Sequence, residues 1–167
     1  MPATLWTIRI AVALYVLATA AWFMRRDAVA RAAWTMGCAF YLAHVAAAFQ
    51  FVHQWSHEAA YRQTARQTGE LFGLNWGGGL YFNYFFTLLW IIDAAWWWRG
   101  LPQYRARPRA VTIAIQAFFA FMFFNATVVF AKGPIRWLGV TSAIGLCCLC
   151  YLVFSTRAGD RDSSRHS

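Results

Sequence analysis

The sequence has few charged residues for its length. Only 13% of its 167 residues are charged, whereas a water-soluble domain usually carries about 25%. Acidic residues are the scarcest, with six Asp and Glu against fifteen Lys and Arg. Hydrophobic residues make up 60% of the chain, so the composition favours a protein whose solvent is largely lipid.

None of the cysteines is placed for a disulfide framework. The four cysteines all lie inside apolar segments, at Cys38, Cys147, Cys148 and Cys150. Structural disulfides of small secreted domains join polar, loop-rich chains. We therefore expect buried, inert thiols, with soft-metal binding or palmitoylation of Cys150 as alternatives.

The net charge of +9 invites a nucleic-acid interpretation, which the distribution of charge excludes. The arginines form no continuous face. They lie in short clusters between apolar runs, where they set topology and meet anionic lipid headgroups. The predicted partners are the lipid bilayer, with other membrane subunits or a homo-oligomer as further candidates.

Five apolar runs are long enough to span about 30 Å of hydrocarbon, which takes about 20 residues. They cover residues 5–24, 32–55, 80–98, 110–131 and 135–154. Backbone amides cannot stay unpaired in lipid, so the runs should be helices. The sequence thus predicts an all-α integral membrane protein, with one transmembrane domain over 1–155 and a polar cytoplasmic tail over 156–167.

The basic residues predict the orientation of this five-helix bundle. With the N-terminus outside and the C-terminus cytoplasmic, the inner side holds ten arginines and the outer side five basic residues. The positive-inside rule favours this arrangement over its inverse. The protein is then a multi-pass membrane protein, of the inner membrane if the cell is bacterial.

The first run admits an alternative. Residues 1–20 end in Ala18-Thr19-Ala20 and resemble a signal peptide in length and in this small-residue ending. Cleavage would place the Arg25-Arg26 turn outside, against the charge count. An uncleaved first helix is therefore the favoured prediction.

The outer loop, residues 56–79, is the longest connection. Nothing breaks a helix from Ser56 to Thr68, and two i,i+4 pairs of opposite charge, Glu58–Arg62 and Arg66–Glu70, favour one. The second helix is expected to project beyond the membrane or to bend along its surface.

Four polar residues at this point form the best-defined candidate site. Gln50, His53, Gln54 and His57 follow i, i+3, i+4, i+7 spacing, which places them on one face of a continuous helix. Two histidines four residues apart can reach one metal ion, so His53 and His57 are candidate ligands of a metal or a haem. A bis-histidine haem needs histidines on facing helices, which only a dimer would supply. The alternative is that both histidines form local hydrogen bonds at the interface.

Further polar residues lie at membrane depth, where they are functional candidates by default. Asp93 is expected to be a hydrogen-bonded or protonated structural acid within reach of inner-loop arginines, with a proton relay as the alternative. Arg9 is expected to snorkel to the headgroups, and His44 to be a packed polar residue. The remaining candidates are Gln116, at the depth of Asp93, and Asn83 and Asn125. With Arg9, the two asparagines are expected to form an outer polar layer, which either lines an outward-facing cavity or holds the helices together by interhelical hydrogen bonds.

No catalytic spacing is present, so a non-catalytic subunit or scaffold of a membrane complex is the leading hypothesis. A small redox protein with a metal or haem at His53 and His57 is the second. A transporter or proton conductor that uses Arg9, His44 and Asp93 is the third.

Overall fold

The computed structural model describes residues 2–130, 136–137 and 139–148, and these residues form helices and connections without a strand. The predicted tail over 156–167, the turn at 132–134 and the end of the fifth predicted span lie outside the described residues.

Seven helices follow one another along the described chain. Two of them, α2 and α6, continue into a five-residue π-helical segment. The helices are α1 (Pro2–Phe23), α2 (Asp27–Ala48, continued by Phe49–His53), α3 (His57–Phe72), α4 (Gly79–Trp98), α5 (Leu101–Arg105), α6 (Arg109–Phe124, continued by Asn125–Val129) and α7 (Gly139–Cys148).

Three of the helical segments are long and apolar enough to cross a membrane. They are Thr4–Phe23, Asp27–His53 and Arg109–Val129. This confirms the prediction of an all-helical chain with membrane-spanning segments. The count of five is not confirmed, because α4 is not among these three segments although it has the length of a span, and α7 is shorter as far as it is described.

Helices α1, α2, α4 and α6 alternate in direction, which gives the bundle two distinct ends. At one end the turn between α1 and α2 meets the connection from α4 to α6, since the Arg105 Nη2 donates to Asp27 Oδ2 at 2.5 Å. We call this the arginine end. At the other end α3 meets the start of α4, and the Phe72 ring contacts that of Phe130 just after α6. We call this the histidine end.

Interlocked aromatic rings fill the middle of the bundle. Trp90 of α4 is fully buried and contacts rings from α2 and α6. Tyr15 of α1 stacks on Phe123 with ring centroids 3.7 Å apart. This aromatic core consists of Tyr15, Trp34, Tyr41, Phe86, Trp90, Phe119 and Phe123.

Small residues let the backbones of α1 and α2 approach each other closely. Ala11, Ala18 and Ala21 of α1 are buried, as are Ala30 and Ala33 of α2. Small side chains at such contacts favour packing between membrane helices.

Gly37 serves the same purpose opposite Trp90. A Cβ atom added at Gly37 would stand 3.0 Å from Cζ2 of Trp90 and 3.4 Å from Cβ of Leu14. Two helices and the central ring of the aromatic core therefore meet at a position that has no room for a side chain.

The predicted second span differs from the observed helix at its start. The helix begins at Asp27 rather than at residue 32, and this acidic side chain in the first turn complements the helix dipole. At its other end, of the two arrangements expected, projection beyond the membrane and a bend, the structure has the bend. Gln54 and Trp55 both adopt the left-handed conformation, with φ of 50° and 57°, and turn the chain into α3.

We predict that Gly37→Leu destabilises the protein by about 1–3 kcal/mol, because the added side chain must displace Trp90 from a filled core. The melting temperature of the detergent-solubilised protein, followed by tryptophan fluorescence, measures the effect. Gly145→Leu is the matched control, since a Cβ at Gly145 meets no atom of the other described residues within 4 Å. Equal melting temperatures for the two variants would contradict the prediction.

Candidate functional sites

A buried ion pair joins α4 to the connection that follows it. The Arg107 Nη1 donates to Oδ1 of Asp93 at 2.5 Å, and the two side chains are only 1% and 0% exposed. A charged carboxylate removed from water is stable only where it is paired and hydrogen-bonded. Asp93 meets both conditions here.

Two hydroxyl groups complete this network. The Tyr104 hydroxyl donates to the second carboxylate oxygen of Asp93 at 2.9 Å and accepts from Nη2 of Arg107 at 3.0 Å. The Arg107 Nε donates to the Thr112 hydroxyl at 2.9 Å, which links the network to the first turn of α6. Together these four residues, Asp93, Tyr104, Arg107 and Thr112, form what we call the ion-pair network.

Aromatic rings shield the ion-pair network from solvent. The Tyr104 ring stacks on that of Trp97 at 4.5 Å, and the Arg107 guanidinium lies 3.9 Å from the centre of the Tyr104 ring. Burial, and then the charge of Asp93, raise the pKa of the Tyr104 phenol well above its ordinary value. The phenol therefore stays protonated and keeps donating to the carboxylate.

The backbone between α4 and α6 brings Arg107 back to Asp93. Gly100 has φ of 139°, which a residue with a side chain rarely adopts, and reverses the chain after α4. Pro102 starts the short helix α5, and Pro108 precedes the first turn of α6. Arg107 lies between these two helices and points into the bundle.

A second, more exposed set of contacts ties α2 to the same region. Besides the Asp27–Arg105 pair, the Arg31 guanidinium lies 4.4 Å from the centre of the Trp98 ring. The Trp98 indole N–H donates to the Thr35 hydroxyl at 2.9 Å. The arginine end is thus closed by contacts from three helices.

The histidine end is built differently from the prediction. The proposed stripe of Gln50, His53, Gln54 and His57 on one continuous helix is wrong in geometry. His53 closes the π-helical segment, the chain turns at Gln54, and His57 begins α3 behind the N-cap Ser56, whose hydroxyl accepts from the Ala59 amide. The two histidines therefore lie on separate elements.

His57 belongs to a cluster of aromatic side chains at the start of α4. Its Nδ1 is hydrogen-bonded to the Tyr84 hydroxyl at 3.0 Å, and its ring lies 5.9 Å from that of Tyr81. Tyr61 of α3 contacts Tyr81 in turn. This tyrosine cluster was not predicted, although Tyr81 and Tyr84 share a helical face at i, i+3 spacing, which is a signal that the sequence carries.

His53 keeps a buried Nδ1 atom without a hydrogen-bond partner. The centroid of its ring lies 5.5 Å from that of the Phe49 ring. Within the described residues, no group of three or more His, Cys, Asp or Glu side chains comes together as metal ligands do. The tyrosine cluster instead supplies the hydrogen-bond partner of His57.

The other polar candidates make local contacts rather than one shared layer. His44 donates from Nδ1 to the Thr4 carbonyl of α1 at 2.9 Å, and Asn125 donates to the Phe121 carbonyl of its own helix at 2.8 Å. Exposed Arg9 lies 5.3 Å from the Trp6 ring. Gln50 accepts from the Trp55 indole at 2.8 Å, Asn83 is exposed and Gln116 is half-buried.

Comparisons with family models, with curated proteins and with solved structures gave no match for this chain. The two sites are therefore interpreted from their own chemistry.

We predict that Asp93→Asn or Arg107→Met alone lowers the free energy of unfolding by about 3–5 kcal/mol, because each leaves its buried partner without a counter-charge. The double variant should lose less than the sum of the two single losses. Reversible unfolding of the solubilised protein in a denaturing detergent measures all four free energies.

The Asp27–Arg105 pair is the matched control for this cycle. Its side chains are 22% and 43% exposed, so the coupling between Asp27→Asn and Arg105→Met should be about 1 kcal/mol or less. Equal coupling energies for the buried and the exposed pair would contradict the structural role of the ion-pair network.

Proposed function

We propose that this protein is a multi-pass membrane protein with five transmembrane helices, α1, α2, α4, α6 and a fifth that begins near α7. The N-terminus and the histidine end lie outside, and the arginine end faces the cytoplasm. The contact between Asp27 and Arg105 supports this topology, since it brings two arginine-rich connections to one end of the bundle. The positive-inside rule then assigns that end to the cytoplasm, in bacteria on the inner membrane.

Within that membrane the protein acts as a non-catalytic subunit of a larger complex. The observation that carries this proposal is an exposed stripe of small residues along α2. Ala32, Ala39, Ala43 and Ala46 are all exposed and lie on one seam of the helix, with the exposed side chain of Met36 between the first two. We call these four residues the alanine stripe.

The alanine stripe has the features of a helix-packing surface. A repeat of three and four residues keeps one seam of a helix facing a partner helix over several turns. Small side chains along the seam let the two backbones approach closely, which drives association where lipid offers no hydrophobic force. The opposite face of α2, with Trp34, Gly37 and Tyr41, is already buried against the protein's own helices.

The interior of the bundle supports a structural rather than a conducting role. The aromatic core separates the ion-pair network at the arginine end from His44 and the histidine end. Asp93 is fully enclosed and saturated by Arg107 and Tyr104. A proton relay needs a carboxylate that opens onto a hydrated path. The two carboxylate oxygens of Asp93 instead accept hydrogen bonds from Arg107 and Tyr104.

We expect Ala39→Leu/Ala43→Leu to weaken association with the partner subunit at least about tenfold. The larger side chains hold the two helices apart, and overpacking a close contact costs about 1–3 kcal/mol. The mass of the complex extracted in mild detergent from its own membranes, measured by native mass spectrometry, reports the change.

Ala117→Leu is the control variant, because Ala117 is an exposed alanine on α6, away from the stripe. It should leave the complex intact. A wild-type protein that is stably monomeric after this extraction would overturn the subunit proposal, as would equal losses in the stripe variant and in the control.

The topology has a separate test with single cysteines in a chain whose natural cysteines are replaced by serine. Gln67→Cys on α3 should react with a membrane-impermeant maleimide in intact cells. Gln103→Cys, in the connection at the arginine end, should react only after lysis. The reverse pattern would show that the bundle is inverted.

A further inference from the structure

A cavity of about 620 Å³ opens at the histidine end, between the π-helical segment and α3. His53 lines it from the first element, and Arg62, Gln63 and Arg66 line it from the second. Asn75 reaches it from the loop that leads into α4. The left-handed turn at residues 54 and 55 sets α3 beside the π-helical segment and so creates this space.

The lining of the cavity is positively charged. Arg62 and Arg66 are one helical turn apart on α3, and no Asp or Glu is among the lining residues. Glu58 is 3.4 Å from Arg62, but those two side chains are 74% and 69% exposed. Exposed i,i+4 pairs of this kind contribute little, so a stronger anion can displace Glu58 from Arg62.

The donors around the cavity suit a group with several negatively charged oxygens. Two guanidinium groups offer forked donors that match phosphate geometry. The Asn75 side chain adds an amide. A phosphate monoester presents three non-bridging oxygens to these donors, and a phosphodiester presents two, with two ester oxygens beside them.

We propose that this cavity binds a phosphate ester, with the phosphate group held by Arg62 and Arg66. Cavities of about 300–1,000 Å³ hold small organic molecules, so the volume leaves room for an organic portion beside the phosphate. That portion is either the glycerol of a phospholipid headgroup or the body of a soluble phosphate ester. This site uses none of the residues of the alanine stripe, so it can be present whether or not the protein is a subunit.

The test uses the full-length protein in maltoside micelles, which contain no phosphate. Calorimetric titration with glycerol 3-phosphate probes the soluble ester, and native mass spectrometry after addition of phosphatidylglycerol probes the lipid. Arg62→Gln/Arg66→Gln should weaken binding of the recognised probe at least about tenfold, because both guanidinium groups are lost. The melting temperature of this variant shows whether it is folded.

A second pair of variants keeps both arginines. Gln63→Glu places a negative charge in the cavity and should weaken binding about tenfold, while Gln103→Glu places the same charge on an exposed side chain at the arginine end. The 20 residues of α4, about 30 Å of helix, separate that end from the cavity. At 0.15 M salt the Debye length is about 8 Å, so Gln103→Glu should change the affinity much less.

Saturable binding of glycerol 3-phosphate that Gln63→Glu weakens and Gln103→Glu spares would support a soluble ester. The same pattern for phosphatidylglycerol alone would support a lipid headgroup. Binding of neither probe by the wild-type protein would overturn the proposal. Equal weakening by Gln63→Glu and Gln103→Glu would also overturn it, since the effect would then be one of general charge.

Discussion

The pairing of Asp93 with Arg107 is the constraint on which the arrangement of the helices depends. A carboxylate three residues from Trp90, in the middle of an aromatic helix, would be unstable there without a counter-charge. The counter-charge is Arg107. The chain has to reverse at Gly100 and form α5 before it brings Arg107 back to Asp93. The path of the connection and the position of α6 follow from that requirement.

The aromatic core depends on the same constraint. Since Thr112 in the first turn of α6 is hydrogen-bonded to Arg107, the network fixes where α6 begins beside α4. Phe119 and Phe123 then meet Phe86 and Trp90 farther along the two helices. The ion pair fixes the position of α6 beside α4, and the aromatic rings contribute the buried apolar area. Neither of them alone specifies how the helices are arranged.

The sequence predicted the helices well because long apolar runs have few alternatives in lipid. It placed the end of the second span at residue 55, next to the observed turn, but left open whether the helix continues beyond the membrane or bends there. Nothing between Phe49 and His57 breaks a helix by composition, since the segment holds neither Pro nor Gly. The turn at Gln54 is accompanied by tertiary contacts, in which His57 and Tyr61 of α3 meet Tyr84 and Tyr81 of α4. Such contacts leave no local pattern in the chain.

The candidate sites, like the helices, could be predicted only in part from the sequence. The burial of a charge at Asp93 and the reach of inner-loop arginines could be expected from the depth of the residue. The identity of the arginine that forms the pair could not be expected in this way. The connection holds four arginines, which differ only in where Gly100 and α5 place them. They are Arg99, Arg105, Arg107 and Arg109. Tyr104 was missed for the same reason.

The order of synthesis gives the packing of the first two helices another consequence. The close contact between α1 and α2 needs nothing made after residue 53. The amino-terminal hairpin can thus assemble first and offer Trp34 and Tyr41 as a ready surface to the pair of helices that follows.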